Sequence, residues 1–89
     1  MADTRHVLFY EYVADIVARR APHREAHLSA IHAAKDDGRI LMAGPLGDPP
    51  HGAAIVFGDP AEAEAFAQAD PYVTNELVTS WRVEPWALV

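Results

Sequence analysis

The 89-residue chain contains no cysteine. That absence removes disulfides, thiolate nucleophiles and cysteine-ligated zinc, so any chemistry must use nitrogen and oxygen groups. Basic residues are scarce too: seven Lys and Arg stand against thirteen Asp and Glu, a net charge of −6. Nucleic-acid affinity rests mainly on cations that neutralise phosphates. The one local group of arginines, Arg19, Arg20 and Arg24, is diluted by Glu11, Asp15 and Glu25. No nucleic-acid partner is therefore expected. No apolar stretch is long enough to span a bilayer, so no membrane partner is expected either. The segment Met1-Ala2-Asp3-Thr4-Arg5 lacks a secretory pattern, which makes the cytoplasm the expected location. Linkers, internal repeats and low-complexity segments are also missing. With 51% apolar residues and moderate charge, residues 1–89 are expected to fold as one domain around one core.

What is present is a regular alternation of elements. Arg5 to Val13 is dense in aromatic and aliphatic residues and reads as a strand. Ala14 to Arg20 predicts a helical turn or two, broken before Pro22 because a residue preceding proline leaves the α region. A main helix follows from Pro22 to Asp37, stopped by Gly38. Arg39 to Gly44 reads as a second strand, Pro45 to His51 as a loop, and Gly52 to Phe57 as a third strand. Asp59-Pro60-Ala61-Glu62 has the N-cap, the proline at the first helical position and the Glu of a capping box. The helix it opens should end near Asp70, because Pro71 cannot continue it easily. Val78 to Trp86 is the last strand, and Pro85 suits an edge position.

The order βαββαβ predicts an α+β, ferredoxin-like sandwich: a four-stranded antiparallel sheet with two helices on one face. The strand interiors Val7-Leu8-Phe9, Ile40-Leu41-Met42 and Ala54-Ile55-Val56-Phe57 are nevertheless apolar on both faces, as in sheets buried on both sides. A second copy of the chain, sheet against sheet, is the simplest cover, so a homodimer is expected.

Two ionisable residues fall on apolar helix faces. Arg24, His27, Leu28, Ile31 and Lys35 share one stripe at i, i+3, i+4 spacing, and Leu28 and Ile31 direct it toward the sheet. On the second helix Asp70 continues the inward line of Ala63, Phe66 and Ala67. A carboxylate there is costly unless paired or hydrogen-bonded. In one reading Asp70 bonds one ring nitrogen of His27 and leaves the other to exchange a proton with a substrate, while Arg24 holds an anionic group. In the other, His27 is a satisfied core histidine and Asp70 caps a loop through backbone N–H groups. In such a sandwich the two helices are expected to run roughly parallel, so Asp70 at the end of one meets His27 only when the first helix starts earlier or the helices are offset.

Other groups carry less. His23 and His27 at i, i+4 have no third ligand, so no metal is expected. His32 reads as a half-exposed helix residue, His51 as a loop residue, and His6 as facing solvent or a partner copy. Ser29 and Ser80 have no neighbouring base. Gly44-Pro45-Leu46-Gly47 is too short for a phosphate loop and suits a turn or a close backbone approach to a ligand. Tyr72 can be a pocket wall, a phenolic donor or packing, and the wall is favoured.

Taken together, Arg24-x-x-His27-Leu28, Gly38, Ala43-Gly44-Pro45, Asp70-Pro71-Tyr72 and Val83-x-Pro85-Trp86 resemble the YCII (YciI-like) domain family, over essentially the whole chain and in order. The resemblance implies a ferredoxin-like fold assembled as a dimeric α+β barrel, and an active site built on the family's His and Asp, here His27 and Asp70. Arg24, Gly44 and Pro45 match motif positions too. The chain departs from the pattern after Tyr72, with Asn75-Glu76-Leu77 where members often have Ala-Gly-Leu. That substitution places a charge near the expected pocket mouth. Some members, and the fold-related muconolactone isomerases, act on small ring compounds by proton transfer or halide elimination. The expected protein is thus a cofactor-independent enzyme of isomerase, lyase or dehalogenase type acting on a small ring or lactone-like substrate. His27 and Asp70 would be catalytic, with Arg24, Gly44, Pro45 and Tyr72 at the substrate. The alternative is a non-catalytic dimeric protein that binds a small molecule or serves as an accessory subunit.

Overall fold

The computed structural model describes residues 3–89. Met1 and Ala2, part of the segment read for targeting signals, lie outside the described residues. The elements are β1 (Thr4–Tyr12), α1 (Ile16–Arg19), α2 (Ala21–Asp36), β2 (Ile40–Leu46), β3 (Gly52–Phe57), α3 (Pro60–Ala69), α4 (Pro71–Thr74) and β4 (Val78–Ala87). The strands form one antiparallel sheet in the order β2-β3-β1-β4. With the helices on one face, this is the expected ferredoxin-like sandwich. Among the described residues no helix is long and apolar enough to cross a membrane.

Side-chain alternation fixes the two faces of the sheet. Leu8 and Tyr10 of β1 and Ile55 and Phe57 of β3 point toward the helices, where they meet Ile31 and Ala34 of α2 and Phe66 of α3. Each fully buried Leu, Ile or Phe contributes roughly 1.5–3 kcal/mol. His6 has the parity of Leu8 and Tyr10, so it stands at the end of this covered face, where its Nδ1 lies 3.3 Å from the Gly58 carbonyl. Val7 and Phe9 belong to the other face, paired with Val56 and Ala54. Among the described residues no helix covers that face; Val7 and Val56 are buried among their sheet neighbours, while Met42 and Trp86 stand 60% and 48% exposed.

Caps set most helix limits. Asp59 accepts from the Ala61 N–H at 2.8 Å with Pro60 in the first turn, as the sequence predicts, while Glu62 adds no reciprocal bond among the described residues. Gly38 ends α2 at φ 86°. Arg20 is helical and joins α1 to α2 almost without a break. Most boundaries fall within one residue of expectation, with larger differences at α1, β2 and α4. β2 runs on through Pro45 to Leu46, because an edge strand tolerates a residue with no N–H to donate. The short helix α4, not foreseen, follows Asp70 directly.

The expected parallel course of the main helices is corrected by the topology. β1 and β2 both run antiparallel to β3, so α2 must travel back against β1. β3 and β4 run antiparallel to β1, so α3 returns in the direction of β1. α2 and α3 are therefore antiparallel to each other. The early turns of one lie beside the end of the other, and the offset that seemed necessary to join His27 to Asp70 is not needed.

Candidate functional site

Asp70 sits at a corner. It is the last capping residue of α3 and the N-cap of α4, at φ −65° and ψ 126°, outside the helical region. Pro71 after it prevents α3 from continuing and opens α4 with a preset φ. The Asp70 carboxylate accepts the Tyr72 N–H at Oδ1, 3.0 Å. It also accepts the Tyr10 hydroxyl at Oδ2, 2.8 Å. His27 Nδ1 completes the set, 2.8 Å from Oδ1 and 2.9 Å from Oδ2. The chain thus satisfies the buried carboxylate, 1% exposed, with three donors from three elements. Asp70 therefore both caps α4 through a backbone N–H and contacts the His27 ring.

The tautomer follows. A carboxylate has only acceptors, so the hydrogen of a neutral His27 ring resides on Nδ1 and Nε2 keeps a free lone pair. Among the described residues Nε2 has no protein partner, and it is not sealed from solvent. One face of the imidazole is covered by Tyr72, whose ring stacks on it at 3.8 Å between centroids and 6° between planes. The ring is therefore fixed by a hydrogen bond at one nitrogen and a plate on one face. What remains open is Nε2.

A cavity of ≈ 220 Å³ between α2 and the β2–β3 side of the sheet is lined by five of the six expected site residues: Arg24, His27, Gly44, Pro45 and Tyr72. Asp70, the sixth, lies behind His27. A Cβ at Gly44 would meet nothing within 4 Å, so no packing within the chain itself demands glycine there. Glu76 does not line this cavity, contrary to the expectation of a charge at its mouth. It is exposed, in the turn that leads from α4 away to β4.

Sequence reasoning missed Tyr10, Tyr12, Arg20 and Lys35. Tyr10 is 2% exposed, and a buried phenol needs a partner. Its inward parity was visible, but nothing in the sequence tied it to Asp70, 60 residues away. Burial, then the Asp70 charge and hydrogen bond, push the Tyr10 phenol far above its ordinary value of 10.0. Tyr12 is raised to about 12, first by burial and then by Tyr72 and Asp70, while Arg20 and Arg24 act in the opposite direction. Arg20, Lys35 and His32 line the cavity with Tyr12. His32 is exposed and lies at that rim rather than away from it. Among the described residues no three His, Asp or Glu side chains come together as a metal site. A second cavity, ≈ 630 Å³, lies on the uncovered sheet face, away from His27, and is lined by residues such as Val7, Phe9, Met42, Val56 and Trp86.

Residues 4–87, from the first residue of β1 to the last of β4, match the YCII-related domain. The chain belongs to that family. Protein YciI of Escherichia coli O6:H1 is 34% identical, with 94% of this chain and 97% of YciI covered. YciI of Shigella flexneri is similar to the same extent. Among solved structures the chain is similar to TftG of Burkholderia phenoliruptrix, a 5-chloro-2-hydroxyhydroquinone dehydrochlorinase in complex with 2,5-dihydroxybenzoquinone. The TM-score is 0.74 at 20% identity, covering 92% of each chain. A protein of Agrobacterium tumefaciens is similar at a TM-score of 0.57 and 13% identity, covering 93% of this chain and 90% of that one. At these identities the two structures establish the shared fold.

Proposed function

We propose that this YCII-family protein is a cofactor-independent enzyme in which His27 and Asp70 carry out proton transfer on a small ring or lactone-like organic substrate. The observation that carries the reading is the geometry of His27: Nδ1 held by Asp70, one face against Tyr72, Nε2 without a partner among the described residues, and the ring lining a cavity large enough for one small ring. Nε2 takes a proton from an acidic O–H or C–H of the substrate, and the Asp70 carboxylate stabilises the imidazolium that forms. The electron pair left on the substrate then has two outlets. It expels an anionic leaving group such as halide, or it shifts along the conjugated system and is protonated elsewhere by the same imidazolium. The first outcome is elimination and the second isomerisation. Arg24 stabilises the negative charge that develops, while Gly44 and Pro45 bring the β2 backbone close to the ligand. The dehydrochlorinase activity of TftG, a relative in fold, is consistent with the elimination branch.

The protein works, in this proposal, as a cytoplasmic homodimer joined through its uncovered sheet faces. The apolar cavity around Val7, Phe9, Met42, Val56 and Trp86 is what a second sheet would fill.

The catalytic reading is tested by assaying small lactones and chlorinated hydroxyphenols with wild type and His27→Ala. Turnover of at least one compound by wild type, reduced about 10²-fold or more in the variant, is expected for loss of a general base. Equal background rates for the two proteins would instead favour a binding or accessory role.

A further inference from the structure

The cavity beside His27 is chemically one-sided. Its lining includes Arg20, Arg24 and Lys35, three of the seven Lys and Arg in the chain, and none of the thirteen Asp and Glu. In a protein of net charge −6, that is a local reversal of sign. The three cations are also unspent. Arg19, Arg39 and Arg82 each pair with a nearby carboxylate, Asp15, Asp37 and Glu84 respectively. Among the described residues Arg20, Arg24 and Lys35 have no such partner.

The remaining polar groups add donors. Tyr12 lines the same cavity at the end where Arg20 and Arg24 act on its phenol. The other walls are apolar: Leu28 and Ile31 of α2 face Ala43, Ala53 and Ile55 of the sheet. At ≈ 220 Å³ the space is below the roughly 300–1,000 Å³ of drug-sized sites and suits a single ring with short substituents.

We propose that the ligand of this cavity is a small, planar organic oxyanion, a ring carboxylate or phenolate, whose charged oxygen is held by Arg20 and Arg24 beside Tyr12. Arg20 and Tyr12 become specificity determinants in addition to Arg24. The assignment deepens the reading above and rests on it for the location of the site. Its physical basis, a pocket of cations and donors with no acid in its lining, is independent of the proton-transfer step. A neutral ligand would leave two guanidinium groups and a phenol unused, and a cationic one would be repelled.

The test is a binding titration followed by NMR of the His27 ring, with benzoate and with 4-nitrophenolate above its own pKa as the two oxyanion sources. Benzamide and benzylamine serve as neutral and cationic counterparts of the same shape. At least one oxyanion is expected to bind at least tenfold more tightly than benzamide, with benzylamine weaker still. Affinity should fall with added KCl and drop a further tenfold or more in Arg20→Gln/Arg24→Gln. Arg24 is exposed and Arg20 half-buried, so this variant is expected to fold. Which oxyanion wins identifies carboxylate or phenolate as the charged group. The proposal is overturned if benzamide binds as well as both anions, if the double variant binds them unchanged, or if neither anion binds. Failure of the proton-transfer reading has a different signature: anions bind to wild type as expected, yet no compound of the assay panel is turned over.

Discussion

Asp70 collects three hydrogen-bond donors that arrive from β1, α2 and α4, and each constrains a different group. Of the three, Tyr10 is the one whose removal isolates a single bond without disturbing a backbone. Tyr10→Phe keeps the ring in the core but leaves Asp70 with one donor fewer, which should cost about 1–3 kcal/mol in chemical denaturation. The same residue governs the alkaline limit. Its folded-state pKa is raised well above the 10.0 of a free phenol, chiefly by burial, and that of Tyr12 is raised to about 12. Between those values the folded chain holds protons that the unfolded chain has released, so stability is complete below pH 10 and declines as pH climbs through about 12. Tyr10→Phe should therefore flatten the alkaline fall of stability measured by denaturant midpoints above pH about 10. An unchanged alkaline profile would show that Tyr10 is not a group responsible. At this scale the sequence was partly legible. Helical phase marked His27 and Asp70 as inward-facing, because burial on an amphipathic helix follows spacing alone. It could not reveal Tyr10, since a bond between positions 60 apart depends on the sheet that carries them.

Element α4 shows what pattern reading leaves out and why. A four-residue helix has no period to detect. It exists because Asp70 caps its start and because its end is closed by a Schellman arrangement, with Leu77 N–H bonded to Tyr72 C=O at 2.9 Å and Glu76 N–H to Val73 C=O at 3.2 Å. Leu77 and Tyr72 pack together in a small cluster with Ile16, the apolar contact that accompanies this motif. The arrangement requires a left-handed residue at its turn, and here that residue is Glu76 at φ 62°. A left-handed conformation costs a residue with a side chain roughly 1–2 kcal/mol, partly offset by the greater chain entropy that glycine loses on folding, roughly 0.5–1 kcal/mol. Glu76→Gly, which restores the residue that family members often carry, should stabilise the protein by about 0.5–1 kcal/mol in urea denaturation. It should leave ligand affinity unchanged, because Glu76 does not line the cavity beside His27. The longer elements were legible where sequence chemistry is strong: β3 has its expected limits, and Asp59-Pro60 starts α3. Strand β2 outran its expected end because tolerance of Pro45 is a property of its edge position, known only once the sheet order is known.

The whole molecule is a sheet with two unlike faces. One is covered by helices that must run in opposite directions, a consequence of strand order that no single segment encodes, and this direction brings the second turn of α2 to the end of α3. The other face carries Met42, Val56 and Trp86 around the larger cavity. The apolar residues on both faces of β1 and β3 announced this second surface in the sequence. If a second copy covers it, sedimentation at micromolar concentration should report a dimer, and Val56→Lys should convert it to a monomer by placing a charge in the buried face. A wild-type monomer would overturn the proposed assembly. Val56 faces away from His27, so the helix-side geometry should survive in the monomer.

All of the proposed chemistry depends on one state of one ring: His27 with its hydrogen on Nδ1, held by Asp70, and Nε2 bare toward the cavity. Correlation of the ring nitrogens with the ring protons by ¹⁵N NMR reads that state directly. In neutral wild-type protein Nδ1 should appear protonated and Nε2 unprotonated, a preference that weakens or reverses in Asp70→Asn. A ring protonated at Nε2 with Nδ1 bare, or a tautomer indifferent to Asp70→Asn, would contradict the account.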